Sequence, residues 1–248
     1  MMINLITVKK ILHKSFKRLG YTITNDSVFK GQSSNFFASH KWLIELNFLT
    51  ILDIGANKGQ FASKFRMLFP NAFIYSFEPI QEIFEILNNR FSKDLKFKSF
   101  NLGLGLESGE FDFFQKDFSD SSSLMRSKDL LKENFPQTQN EKKIKIQIES
   151  LDNISNSINL ELPMLIKIDV QGFEKMVILG GKQTIKKASV LIVEVSFYEL
   201  YEDQEYFDSI YSVLCDLGFK YMGNYDQLYS PNDGSILQAD AIFFKENG

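Results

Sequence analysis

The sequence predicts an α/β fold in which a mostly parallel sheet carries helices on both faces. Short apolar, β-branched runs recur along the chain at 50–54, 72–77, 95–100, 164–170 and 190–195. The stretches between several of them place apolar residues at helical spacing. Two of the runs also end in an acid followed by a glycine-containing turn, at Asp53 and at Asp169. Strand alternating with helix favours right-handed crossovers and hence a doubly wound, parallel sheet.

Residues 2–20 set Ile6, Ile11, Leu12, Phe16 and Leu19 among Lys9, Lys10, Lys14, Lys17 and Arg18, a basic amphipathic pattern. It reads either as a packing helix with a solvated basic face or as a contact with an anionic membrane surface. A polar loop at 21–35 precedes a helix expected at Phe36–Asn47, so residues 1–48 are expected to be a helical extension and 49–248 the main domain. In the latter, Lys58–Phe69 carries Phe61, Phe65 and Leu68 on one face, and Ile80–Phe91 carries Ile80, Phe84, Leu87 and Phe91. The pattern changes over 109–159, where Phe111–Gln115 and the alternating Ile144, Ile146 and Ile148 look like antiparallel strands around Ser121–Ser123. This reads as a β-rich insertion. Helices are then expected from Phe173 and over Asp203–Leu217, with late strands at Phe219–Met222 and Ala241–Phe244.

At 248 residues, one well-buried domain with a short extension is the default. Apolar residues make up 44% and charged residues 24%, which fits a packed core and excludes a disordered chain. A net charge of -3 gives no general attraction for phosphate backbones, so nucleic acid is not the expected partner and a small molecule or glycan is. Cys215 is the only cysteine, which precludes an intramolecular disulfide and suits a reducing cytoplasm. The first residues lack the pattern of a secretory signal, and no apolar run has the length of a bilayer span.

The chemistry concentrates at three strand ends. Ile51-Leu52-Asp53-Ile54-Gly55-Ala56-Asn57-Lys58-Gly59 is an apolar strand, an acid, and a glycine turn that opens a helix. Pyrophosphate-binding loops use G-x-G-x-x-G, whereas Gly55 and Gly59 are four apart and follow an acid. An acid there repels pyrophosphate and suits the ammonium and sulfonium of S-adenosylmethionine. Glu78 ends the second strand, where a doubly wound fold presents a carboxylate to ribose hydroxyls. In Lys167-Ile168-Asp169-Val170-Gln171-Gly172-Phe173-Glu174, Asp169 ends an otherwise apolar strand, and a charge there needs a partner.

From about His40 to Lys245 the chain resembles the FkbM family of methyltransferases. The resemblance rests on LDIGANKGQF at 52–61, FEP at 77–79, NLGLG at 101–105, SSSL at 121–124, SLD at 150–152, KIDVQGFE at 167–174, VEVSFYELYE at 193–202 and QADAIFF at 238–244. It implies a class I methyltransferase (Rossmann-like) sheet of seven strands whose last, with Asp240, runs antiparallel. It also implies S-adenosylmethionine as cofactor, with Asp53, Gly55, Asn57 and Gly59 at its methionine end, Glu78 on the ribose, and Asn101 with Gly103 near the adenine. Gln171 stands where the family often has Glu, which argues against an acid–base role at 171. The family is mainly one of O-methyltransferases of sugars and polyketides.

Transfer to a hydroxyl requires that the hydroxyl lose its proton. The two histidines, His13 and His40, lie away from the motifs. Asp169 is therefore the expected base or orienting group, with Lys167, Glu174 and Glu194 as further catalytic candidates. Asp169 and Glu194 are alternatively a pair of oxygen ligands for Mg²⁺. Phe111–Phe118 and Ser121–Ser123 are expected either to wall the acceptor or to form a hairpin core and turn, and Tyr198, Glu199 and Tyr201 either to stack on a sugar or to pack. Two other functions compete: a cofactor-binding accessory module without turnover, and an NAD-dependent oxidoreductase.

Overall fold

A computed structural model describes residues 41–116, 122–135 and 141–245. The chain divides into two units, 1–46 and 47–248. Within the first, only helix α1 (Lys41–Glu45) falls among the described residues. The amphipathic segment 2–20, His13 and His40 lie outside them.

The second unit is built on a seven-stranded sheet. Its strands are β1 (Thr50–Ile54), β2 (Phe73–Phe77), β3 (Phe97–Phe100), β7 (Met164–Ile168), β8 (Val190–Ser196), β9 (Phe219–Tyr229) and β10 (Ile236–Lys245). They lie in the order β3-β2-β1-β7-β8-β10-β9. Strands β3 to β8 pair in parallel, while β10 runs antiparallel to both β8 and β9. Order and direction are those of the class I methyltransferase sheet. β1 and β7 are neighbours from which the chain winds outward in opposite senses, and the crevice at such a switch point is where open α/β sheets bind ligands.

Every residue of β1 and of β7 is buried, as expected for strands covered on both faces. On one face Leu52 and Ile54 share a core with Val177 and Ile178 of helix α6 (Glu174–Gly180), Ile185 of α7 (Lys182–Ile185) and Leu151 of α5 (Leu151–Ser155). On the other face, where side-chain alternation points Asp53, lies helix α2 (Gln60–Leu68) with buried Ala62 and Phe65. Helix α3 (Gln81–Arg90) follows β2, and α8 (Phe207–Asp216) precedes β9.

A second sheet, ordered β4-β6-β5, joins β4 (Gly103–Leu104), β5 (Gly109–Lys116) and β6 (Glu141–Glu149). β5 and β6 are antiparallel and place Phe111 opposite Ile146. The two-residue β4, parallel to β6, was not expected from the sequence. Helix α4 (Asp129–Asn134) lies between β5 and β6 in the chain.

The expected third strand begins late because Asp94 makes a turn ahead of it. Its carboxylate accepts the Lys96 amide at 2.9 Å and pairs with Arg66 at 2.7 Å. The last two strands are longer than the apolar runs that announced them. Their eleven and ten residues form an antiparallel pair with three register shifts. Polar Asn224, Asp226 and Gln227 hide β9, which as an edge strand needs backbone pairing on one side only.

Candidate active site

A cavity of about 720 Å³ opens at the carboxyl ends of β1, β2, β7 and β8. Gly55, Ala56 and Asn57 form one lip. Gly55 has φ +80°, and a Cβ there would lie 1.8 Å from the Asp169 carbonyl oxygen, so the turn after β1 and the turn after β7 touch backbone to backbone. The Gly55 and Ala56 amides donate to the Phe77 carbonyl at 3.1 and 2.9 Å, and the Asp169 amide donates to the Ile54 carbonyl at 3.0 Å. Glu78 stands beside this lip, almost wholly buried, and accepts the Asn57 amide at 3.0 Å and the Ile80 amide at 2.9 Å. An apolar wall of Ile80, Leu104, Phe113, Ile146 and Ile148 completes this half, with Gly103 in the lining.

The other half is polar. Lys64, Lys167, Asp169, Gln171, Glu194, Tyr225, Asp226, Gln238 and Asp240 line it. Register sets three of the acids side by side, because Glu194 of β8 pairs with Asp240 of β10, which pairs with Asp226 of β9. Lys167 bonds Asp169 at 2.5 Å, and the Gln171 amide nitrogen lies 2.8 Å from Asp169 and 2.9 and 3.0 Å from the two Glu194 oxygens.

Burial raises the carboxyl of Asp53 to about 6, against the attraction of Lys167, and that of Asp240 to about 6 in the same way. Burial also raises Glu174 to about 7 and pushes Glu194 well above the usual carboxylate range, with Asp169 adding to the latter by like-charge repulsion. Burial alone would discharge Lys167, but Asp169, Asp240 and Asp53 hold it firmly as an ammonium. Carboxyls raised in the native state bind protons there that the unfolded chain has released. Their contribution to stability is therefore fully present below their ordinary values near 4 and is lost as pH rises through about 6 to 7. We expect a higher Tm at pH 5.5 than at pH 7.5 in thermal scans of the ligand-free protein; a flat or opposite trend would contradict this charge arrangement.

Several residues expected at the site take other positions. Asp53 is fully buried and outside the lining, with Ser76 Oγ at 3.5 Å from one oxygen and no partner for the other among the described residues. Gly59 caps α2 at φ +81° and faces Leu87 and Phe91: a Cβ there would meet a ring carbon of Phe91 at 2.7 Å and a methyl carbon of Leu87 at 2.8 Å. Asn101 donates to the Glu78 and Pro79 carbonyls at 3.0 and 3.1 Å and so supports the strand end that carries Glu78. Glu174 is buried and accepts the Val170 and Gly172 amides, which fixes the turn after β7. Gly55, Asn57, Glu78, Gly103, Lys167, Asp169 and Glu194 do line the cavity. Among the described residues no group of three or more His, Cys, Asp or Glu side chains is arranged to hold a metal ion. The space between Asp169 and Glu194 holds the Gln171 amide instead, a donor where Mg²⁺ needs oxygen ligands.

Of the proposed acceptor wall, Phe113 and Ser122 line the cavity, while 117–121 lie outside the described residues. Tyr201 offers no ring face to a sugar, since it is fully buried and its hydroxyl bonds Gln171 at 2.6 Å; Tyr198 is exposed and away from the lining. Lys64, Tyr225, Asp226 and Gln238 were not foreseen. Only the acid in the apolar run Gln238-Ala239-Asp240-Ala241-Ile242 carried a signal, a buried charge in want of a partner.

Comparison with known proteins identifies the family. The profile of the Methyltransferase FkbM domain matches residues 53–221. A 2-O-methyltransferase, NoeI, from Sinorhizobium fredii (strain NBRC 101917 / NGR234) is 32% identical over 161 residues, covering 62% of this chain and 66% of that protein, just under two thirds of its length. Among solved structures, an rRNA methylase from Streptococcus thermophilus aligns with 85% of this chain and 95% of its own at 9% identity and a TM-score of 0.46. A putative rRNA methylase from Clostridium thermocellum aligns with 91% and 100% at 11% identity and 0.47. Among the described residues no helix is long and apolar enough to cross a membrane. With the family profile spanning most of the chain and its motifs lining the cavity, the protein belongs to the FkbM methyltransferase family.

Proposed function

We propose that the protein transfers the methyl group of S-adenosylmethionine to a hydroxyl of an uncharged sugar or glycan. The observation that carries this reading is the division of one cavity into an apolar half beside Glu78 and a polar, carboxylate-rich half around Asp169. The first half fits the cofactor: the Glu78 carboxylate lines it as an acceptor for ribose hydroxyls, Ile80, Ile146 and Ile148 supply an apolar slot for the adenine, and Gly55 and Asn57 border the methionine end. Asp53 acts from behind the loop, through its charge, on the cationic end. When bound, the cofactor supplies a methyl carbon activated by its sulfonium. The name of the relative, a 2-O-methyltransferase, supports oxygen as the acceptor atom.

The residues of the second half then have distinct tasks. Asp169 is the more exposed member of its pair with Lys167, 28% against 8% for the lysine side chain, and it accepts the hydroxyl proton as the new O–CH₃ bond forms and the methyl–sulfur bond breaks. Lys167, held charged, is an anchor for Asp169 and not a base. Glu194, whose carboxyl burial pushes well above the usual carboxylate range, orients a neighbouring hydroxyl. Glu174 keeps the turn in shape. The excess of carboxylates over lysines disfavours phosphorylated or otherwise anionic acceptors and suits a neutral polyol, whose hydroxyls can donate to each of them. Alignment and exclusion of water supply most of the acceleration. We further infer that residues 1–48 are an extension apart from the 49–248 catalytic domain, and that the protein acts in the cytoplasm.

The test is methyl transfer from labelled donor to a panel of neutral saccharides and secondary-metabolite alcohols. Tight S-adenosylhomocysteine binding without any labelled product across the panel would favour the accessory module, and stabilisation by NAD instead would favour the oxidoreductase. Glu78→Gln is expected to weaken S-adenosylhomocysteine binding by on the order of 10- to 100-fold, the value of a hydrogen bond to a charged group, measured by calorimetry. An unchanged affinity would remove Glu78 from the cofactor site.

A further inference from the structure

Gln171 sits at the centre of the polar half, yet neither its sequence position nor the chemistry of methyl transfer gives it a task. Its backbone adopts φ +57°, unusual for a residue with a side chain. Four bonds hold it there. Ser123 Oγ donates to its carbonyl at 2.5 Å, the Tyr201 hydroxyl donates to its Oε1 at 2.6 Å, and its Nε2 donates to Asp169 at 2.8 Å and to Glu194 at 2.9 Å. A glutamine amide has two faces of opposite polarity. An ionised Asp169 can only accept, so it takes an Nε2 N–H, and the Tyr201 hydroxyl donating to Oε1 holds the amide in that orientation.

Tyr201 is itself fixed. It is fully buried in a core with Leu131, Leu200 and Leu237, and the ammonium of buried Lys116 lies 4.9 Å from its ring centroid. Lys116 and Ser123 flank the segment that follows β5, so the three-stranded sheet reaches across to clamp the turn after β7.

We propose that Gln171 is a positioning residue for Asp169, held with its N–H groups toward Asp169 and Glu194 by the Tyr201 hydroxyl. This rests on the reading of Asp169 as the group that receives the hydroxyl proton. Without the amide, Asp169 and Glu194 lose the donor that they share, and Asp169 keeps Lys167 on one oxygen while its other oxygen, now held by Gln171, loses that bond. The groups facing Asp169 are Lys167 of its own strand, Asp53 of β1, Glu194 of β8, Asp240 of β10, Glu174 of α6 and Tyr201 after β8. Gln171 is the only uncharged side chain bonded to Asp169 among the described residues.

The experiment uses the whole chain with ¹³C-labelled aspartate carboxyls. The Asp169 carboxyl resonance, assigned by its absence in Asp169→Asn, is compared at one fixed pH in wild type, Tyr201→Phe and Gln171→Leu, with S-adenosylhomocysteine affinity as the check on folding. Loss of the hydrogen bond from the amide displaces the resonance in Gln171→Leu, and loss of the tyrosine hydroxyl displaces it by less in Tyr201→Phe, with S-adenosylhomocysteine affinity retained. An Asp169 resonance unmoved in either folded variant overturns the proposal. That outcome is separate from failure of the methyl-transfer reading, which shows as absence of labelled product in the wild-type protein.

Discussion

Replacing Asp169 by Asn is expected to reduce methyl transfer by about 10²- to 10⁴-fold, the usual worth of a positioned general base, while leaving S-adenosylhomocysteine binding unchanged. The substitution keeps the shape of the side chain and an oxygen for Lys167, which bonds Asp169 at 2.5 Å. It removes the capacity to take a proton and presents an N–H where Gln171 already presents one. The loss should fall on kcat with the pre-steady-state methyl-transfer step slowed in proportion. Full turnover in Asp169→Asn, measured with labelled donor once an acceptor is found, would transfer the task to another group.

Gly55→Ala is expected to destabilise the protein by about 3 kcal/mol or more, combining the cost of a left-handed backbone for a residue with a Cβ and that of forced overpacking. The new Cβ would lie 1.8 Å from the Asp169 carbonyl oxygen and 2.8 Å from its carbon. Relief by movement is blocked, since the Gly55 amide is bonded to Phe77 and the Asp169 amide to Ile54. Against a typical domain stability of about 5–15 kcal/mol, such a loss is visible as a large fall in the urea midpoint with an unchanged slope. A variant as stable as wild type would mean that the turns after β1 and β7 do not touch.

The sheet was legible because its central strands are buried on both faces and read as unbroken apolar runs, as in Thr50–Ile54 and Met164–Ile168. The acids that end or follow them stood out for the same reason. Beyond these, two kinds of information were not in the local pattern. Edge strand β9 is half solvated and alternates weakly, so its polar middle concealed both its length and the cavity-lining Tyr225 and Asp226. The direction of a side chain at a strand end was equally hidden. Asp53 and Glu78 both belong to acid-plus-turn motifs, but pleating sends Asp53 toward α2 and only Glu78 meets the cavity. Gly59 has the spacing of a ligand-approach glycine and is required instead by Leu87 of α3 and Phe91 just beyond its end. The relay through Gln171 depends on Tyr201, thirty residues on, and only tertiary contact reveals it.

The backbone bonds among Ile54, Gly55, Phe77 and Asp169 have a mechanical meaning. They weld the ends of β1, β2 and β7 into a single rigid block, on which the ribose carboxylate and the proton acceptor share one frame of reference. Donor and acceptor distances are then set once, when the chain folds, and not anew at each catalytic cycle. Room for a bulky acceptor must come from parts outside the block. The three-stranded sheet is such a part, for among the described residues it shares no strand with the seven-stranded one, and the serine that bonds the β7 turn, Ser123, lies beyond the end of β5.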